Sequence, residues 1–162
     1  MNRPPVVLTV CLGNICRSPT AAAALEEAAD AAGIEVVVRS AGTGAYHVGQ
    51  PPDRRMQAAA ATVDLPLGGT AEQVDAAAIE DADLVLAMDA SNLRDLRGIA
   101  AAHGLTTPIV LFRTLDPQAS EADADVPDPY YGGAHGFDEV VAICRRTAAA
   151  VIARLDELTG AS

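Results

Sequence analysis

Residues 6–19 read VVLTVCLGNICRSP, an apolar run that stops at a cysteine, turns through glycine and asparagine and meets an arginine and a proline. Val6 to Val10 is continuous and rich in β-branched residues, the pattern of a strand covered on both faces. Ser18 followed by Pro19 reads as a helix entry, with a capping hydroxyl and a proline in the first turn. The alanine-rich segment beyond has strong helix propensity, and Gly33 supplies its stop. The stretch is therefore a strand, a short loop and a helix.

The loop from Cys11 to Arg17 holds Leu12, Gly13, Asn14, Ile15 and Cys16. Gly13 and Asn14 are the residue types that tolerate positive φ, so a loop of this length can turn several amide N–H groups inward around one tetrahedral anion. The helix N-terminus adds partial positive charge, and a nest that cradles phosphate also stabilises a thiolate. Cys11 is thus a candidate nucleophile and Arg17, with its planar fork, a candidate clamp for two phosphoryl oxygens. Ser18 has two compatible readings, a helix cap and a hydroxyl given to the Cys11 sulfur to ease its departure. The loop is not the nucleotide type, because it lacks the G-x-x-x-x-G-K-[ST] order.

Cysteine chemistry on a phosphate ester also needs a proton for the leaving oxygen. The segment DVPDPYYGG offers Asp125 and Asp128. Asp128 sits between two prolines that stiffen its loop, and the tyrosines after it are suited to walling an aromatic group.

The remaining composition narrows the class. A chain of 162 residues, half of them hydrophobic, fits one domain over 1–162 with a real core. Its formal net charge of −11 argues against nucleic acid or an anionic membrane as partner. An anionic substrate must then be held by local backbone dipoles and one or two placed arginines. Three cysteines, Cys11, Cys16 and Cys144, form no disulfide framework and no zinc spacing, and the N-terminus carries no export or spanning pattern. A reducing, cytoplasmic setting is expected. His47, His103 and His135 stand at no ligand spacing and receive no role.

Beyond the first helix, IEVVVRS reads as a second strand and SAGTGAYHVGQPP as a loop into a helix near Pro52 to Ala61. VDAAAIEDA is a short helical piece, DLVLAMD a third strand, Ala90 to Ala102 a helix, and PIVLF a fourth strand. A long acidic, proline- and glycine-rich stretch follows from Arg113, and Phe137 to Leu158 has helical periodicity. Strands alternating with helices give an α/β fold, a parallel sheet with helices on both faces. Ligands of such sheets bind beyond the carboxyl ends of the strands, where Cys11, Gly42, Asp89 and the Arg113 loop arrive.

VCLGNICRSP near the start and DPYYGG late in the chain, joined by SAGT, GQPPDRR and MDASNLRDL, resemble the low-molecular-weight protein tyrosine phosphatase family over nearly the whole chain. The resemblance implies a three-layer, flavodoxin-like fold, with a four-stranded parallel sheet in the order 2-1-3-4. It implies Cys11 as nucleophile, Arg17 as phosphate clamp, Asp128 as general acid and later base, and Leu12 to Cys16 with Ser18 as the phosphate-binding loop, braced by Asn14 and Ser18. Tyr46, Tyr130 and Tyr131 are expected as walls of the substrate cleft and Asp89 as a supporting carboxylate. No metal or cofactor is expected, and the partners are tyrosine-phosphorylated proteins, acted on by a monomer.

One segment departs from the pattern. The family often carries a His-x-x-Arg-Gln run whose histidine bonds the loop serine and asparagine, where this chain has Gly69 and Glu72 and keeps only Gln73. The expectation is that water or another group holds Asn14 and Ser18. Cys16, in the same loop, is placed to bond Cys11 on oxidation, and Cys144 reads as core.

Three other readings bear on the same residues. An arsenate reductase of the related thiol type needs further cysteines near the pocket, and none lies between Arg17 and Arg113. A protein-arginine phosphatase on this fold is associated with a small polar residue where this chain has Ile15, whose apolar side chain favours a flat aromatic ring. A catalytically impaired phosphate-binding module would explain the altered segment, but Cys11, Arg17 and Asp128 are all present.

Overall fold

The computed structural model describes residues 3–130 and 133–160. Its strands are β1 (Val6–Cys11), β2 (Val37–Gly42), β3 (Leu84–Ala87) and β4 (Ile109–Leu111). Its helices are α1 (Arg17–Ala32), α2 (Arg54–Ala61), α3 (Ala76–Asp81), α4 (Ala90–Ala102), α5 (Ala134–Ala153) and α6 (Leu155–Thr159), with a 3-10 turn at Phe112–Leu115 after β4. All strand pairs are parallel and the order is β2-β1-β3-β4, as expected.

The alternation of side chains along β1 builds the two cores. Val6, Leu8 and Val10 join Val85 and Ala87 of β3, Ile79 of α3 and Leu96 of α4 on one face. Val7 and Cys11 turn to the other face, where Leu25 of α1, Met56 of α2 and Val140 of α5 pack. Every residue of β1 is buried, because both faces of the central strand are covered. Cys11 therefore leaves the sheet at its carboxyl end on the side of α1 and α5.

Thr9 is the polar residue within this strand and is fully buried. Its hydroxyl donates to the Ser18 carbonyl at 2.8 Å, which removes the cost of a buried unpaired donor and ties β1 to the first turn of α1. Strand and helix are thus fixed on either side of the loop they bracket.

Three boundaries differ from expectation. Helix α1 begins at Arg17, so Ser18 is not its cap; Cys16 takes that position and no side chain caps the helix. The first-turn amides are left available to an anion. Strand β2 starts at Val37 because Gly33, at φ 68°, closes α1 with Gly33 N–H donating to Asp30 and Ile34 N–H to Ala29, which keeps Ile34 in the helix cap. The last helical pattern is two helices: α5 starts earlier, where Gly136 weakens the periodicity, and ends at Ala153, after which Arg154, at φ −117°, breaks the run before α6.

Candidate active site

The loop between β1 and α1 folds back on the sulfur that precedes it. The Asn14 amide N–H donates to Cys11 Sγ at 3.2 Å, and Ser18 Oγ lies 3.0 Å from the same sulfur. Asn14 carries the positive φ that makes this turn, 58°, whereas Gly13 does not. Gly13 is needed for space instead, since a Cβ there would stand 3.1 Å from the His47 ring. Gly42, across the sheet end, is more constrained: a Cβ would meet the Leu12 carbonyl oxygen at 2.6 Å.

The brace left open by Gly69 and Glu72 is filled by other groups. The Asn14 side-chain amide donates to Ser18 Oγ at 2.8 Å and to Ser40 Oγ at 3.0 Å, while its oxygen accepts from the Glu72 backbone N–H at 2.9 Å. The Ser40 hydroxyl and a main-chain amide thus replace the histidine side chain, and both donors and the oxygen of a 2 %-exposed asparagine side chain are engaged. With its oxygen accepting from Asn14, the Ser18 hydroxyl proton is free to point at Cys11 Sγ, the nearer acceptor, rather than at Ala41 O at 3.4 Å.

Arg17 is buried, and its Nη1 donates to Asp89 Oδ2 at 2.6 Å and to the Val126 carbonyl at 3.3 Å. Burial opposes its charge, but Cys11, Asp89 and Asp128 outweigh that and raise its pKa above the ordinary value. Asp89 also caps α4, accepting from Asn92 N–H at 2.8 Å, so the sequence start of one helix anchors the arginine of another.

Asp128 arrives from the loop before α5, with Oδ2 3.6 Å from Arg17 Nη2 and Oδ1 accepting from Tyr130 N–H at 3.0 Å. Its side chain is 41 % exposed, open to solvent and to a substrate. Asp125, the other acid offered by this segment, points elsewhere and accepts from Ala90 N–H at the start of α4 at 3.1 Å. Of the two, only Asp128 lines the cleft.

The cleft is an open pocket of ≈ 490 Å³ whose floor is Cys11, Gly13 and Arg17 and whose sides include Ile15, Tyr46 and Tyr130. Tyr46 is largely exposed at the rim. Tyr130 is half-buried, beneath the Arg55 guanidinium at 5.2 Å and tilted against His47 with ring centroids 5.8 Å apart. Tyr131 lies outside the described residues. His47 corrects the expectation that the histidines have no role in the site: it lines the cleft, held by Gln50 Oε1 at 2.9 Å from Nδ1. Its position depends on a loop packing over a distant glycine, which no local spacing reveals.

Cys16 is buried under the loop, and its thiol is pushed up to about 12, by burial first and then by the charges of Asp53, Cys11 and Asp128. Asp53 caps α2 and its N–H donates to Ile15 O at 2.8 Å, which pins the underside of the loop. Cys144 is fully buried and its thiol is likewise raised by burial. All three cysteines are free thiols. Among the described residues no group of three or more His, Cys, Asp or Glu side chains is arranged to hold a metal ion.

A sulfur that accepts the Asn14 amide and lies beside the Ser18 hydroxyl, a charged fork near it and an exposed carboxyl facing the fork form a set able to bind a phosphoryl group, attack it and move one proton. The family model described as low molecular weight phosphotyrosine protein phosphatase matches residues 6–159. A low molecular weight protein-tyrosine-phosphatase of Streptomyces coelicolor is 39% identical over 153 residues, covering 93% of each chain. A solved protein tyrosine phosphatase from Entamoeba histolytica superposes with TM-score 0.87 and 30% identity over 94% of this chain and 97% of that one. A Drosophila arginine phosphatase gives TM-score 0.86 at 29% identity, over 92% and 96%.

Proposed function

The chain belongs to the low molecular weight phosphotyrosine protein phosphatase family, and on that footing we propose that it hydrolyses phosphotyrosine in proteins through a phosphocysteine formed at Cys11. The observation that carries this reading is the convergence of Cys11, Arg17 and Asp128 on one cleft, with Arg17 Nη2 3.6 Å from Asp128 Oδ2.

The phosphoryl group sits in the loop Leu12 to Cys16 with its oxygens on backbone N–H groups and the Arg17 fork. The Cys11 thiolate attacks phosphorus, the bond to the tyrosyl oxygen breaks, and Asp128 gives that oxygen its proton. Water then attacks the phosphocysteine, Asp128 takes a proton back, and the sulfur leaves as a thiolate accepting the Ser18 hydroxyl. Arg17 is kept in place throughout by Asp89. Ile15, Tyr46 and Tyr130 receive the aromatic ring, with His47 beside Tyr130.

Phosphotyrosine is favoured over phosphoarginine because Ile15 presents an apolar, nearly buried wall to the bound ring. The likeness to an arginine phosphatase makes phosphoarginine the comparison substrate. Every group that the proposed reaction needs lies in one chain, so the site asks nothing of a second subunit, and a monomer of one domain is the form proposed. Three free thiols suit the cytoplasm, and among the described residues no helix is long and apolar enough to cross a membrane. Cys16 serves as resolving thiol: peroxide converts the Cys11 thiolate to a sulfenic acid, and Cys16 displaces its oxygen as water to form a disulfide.

Initial rates on a phosphotyrosine peptide and a phosphoarginine peptide, with reductant and chelator present, test the assignment. Faster turnover of the phosphotyrosine peptide, abolished by Cys11→Ser, is expected. Faster turnover of phosphoarginine would reassign the substrate, and turnover by Cys11→Ser would remove the nucleophile.

A further inference from the structure

Behind the cleft lies a buried charge cluster that the mechanism above does not use. Asp116 follows the 3-10 turn and its side chain is 0% exposed. Its two oxygens accept from Arg146 Nε at 2.8 Å, Arg146 Nη2 at 3.0 Å, Arg113 Nε at 3.1 Å and Gln118 N–H at 2.9 Å. That set fills the acceptor capacity of a carboxylate and locks the Arg113 guanidinium at one end. The other end, Nη1, donates to the Asp125 carbonyl at 3.0 Å and to Asp123 Oδ1 at 2.9 Å.

The carbonyl next along the chain, that of Val126, accepts from Arg17 Nη1. Two buried arginines therefore hold consecutive carbonyls of the segment that leads into Asp128. The same segment is held from the sheet side by Val126 N–H donating to Met88 O at 2.8 Å and by Ala90 N–H donating to Asp125 Oδ1. From Val126 the chain reaches Asp128 through Pro127, whose ring fixes φ, so little freedom remains between the anchors and the carboxyl. A buried ion cluster is weak evidence for stability, since apolar residues of similar volume often serve as well; its best-attested use is to fix register.

We propose that Arg113, gripped by Asp116 and Arg146, is a positioning residue that sets the distance of the Asp128 carboxyl from the leaving oxygen. This rests on the reading of Asp128 as general acid. The guanidinium spans Asp116 and the Asp125 carbonyl at once; the single ammonium of lysine keeps the charge and reaches one of them.

The test compares kcat/KM for phenyl phosphate, whose leaving group needs a proton, with that for 2,4-dinitrophenyl phosphate, whose leaving group does not. Wild type, Arg113→Lys, Arg113→Gln and Asp128→Asn are measured, with thermal unfolding of each. A general acid is worth roughly 100- to 10,000-fold, and a displaced one is expected to lose about tenfold of it. Arg113→Lys should therefore lose about tenfold on phenyl phosphate and less than about twofold on the dinitrophenyl ester, with Arg113→Gln following the same order. Equal loss on both esters would make Arg113 a merely structural residue and overturn the proposal. No loss on either, while Asp128→Asn is selective, would overturn it as well. Absence of selectivity in Asp128→Asn itself would instead remove the general-acid reading and this inference with it. Arg113→Lys, which keeps a cation beside Asp116, serves if Arg113→Gln does not fold.

Discussion

The Ser18 hydroxyl stands 3.0 Å from Cys11 Sγ while its oxygen accepts the Asn14 side-chain amide at 2.8 Å, which leaves its own proton free to turn to the sulfur when that sulfur is a thiolate. This bond gains most when the sulfur carries full charge, as it does when it leaves the phosphocysteine. A hydrogen bond to a charged group is worth about 1.5–3 kcal/mol, or roughly 10- to 100-fold in rate. Ser18→Ala is expected to slow dephosphorylation by that factor and to let phosphoenzyme accumulate in rapid-quench experiments. A variant that loses rate without accumulating phosphoenzyme would place the role of Ser18 before the first chemical step.

Asp89 both caps α4 and holds Arg17, and the two duties separate on substitution. Asn remains a good cap, so Asp89→Asn keeps the helix start while removing the charge from the 2.6 Å pair. Activity should fall about tenfold or more through a misaligned Arg17, and the chemical-denaturation midpoint should change little. A stability loss with intact kcat/KM would reverse this assignment.

Asp116 gives the acid limb of stability a specific source. Burial pushes its carboxyl up, but the bonds from Arg146, Gln118 N–H and Arg113 outweigh burial and leave its folded pKa below the ordinary value. A depressed folded pKa contributes stability that is fully present above the unfolded value of about 4 and is lost as pH falls through the lower folded one. Asp116→Asn should cost about 3 kcal/mol near neutral pH, and the gap to wild type should close below pH about 4. Urea unfolding of both proteins across this window measures it; a gap that stays constant would contradict the linkage.

Cys16 sets the pace of the proposed thiol switch. With its thiol raised to about 12, by burial before the neighbouring charges, it is almost wholly protonated at neutral pH and is a slow resolving thiol. After one equivalent of peroxide, formation of the Cys11 to Cys16 disulfide should accelerate about tenfold per pH unit from neutrality to about pH 9. Mass spectrometry of alkylated peptides follows it. A flat profile would mean that Cys16 does not attack as its thiolate.

What could be read without coordinates was what the chain writes locally. The buried run Val6 to Val10, the Cys11 to Arg17 loop and the Gly33 stop each depend on neighbours in sequence, and so does the alternation that gives a parallel sheet. Ser18 has two readings in the sequence, a cap and a hydroxyl for the Cys11 sulfur, because a serine before a proline looks the same whether its hydroxyl turns to the backbone or to a sulfur seven residues earlier; the cap position goes to Cys16 and the hydroxyl lies beside the sulfur. Ser40 stood in a quoted motif with no role, because its use depends on a strand pairing that sets β2 beside β1 and so brings Ser40 to Asn14. His47 and the Asp116 cluster were illegible for the same reason. Their partners, Tyr130, Arg146 and the Asp125 carbonyl, are brought to them by α5 and the long acidic loop, and nothing in their own spacing announces it.

In the proposed reaction, phosphate passes through Cys11. Asp128→Ala, mixed with an activated aryl phosphate and acid-quenched during turnover, should yield a peptide carrying phosphate on Cys11, because loss of the base slows the second step more than the first. Phosphate on another residue, or turnover with no phosphorylated peptide under conditions where the first step outpaces the second, would contradict the account.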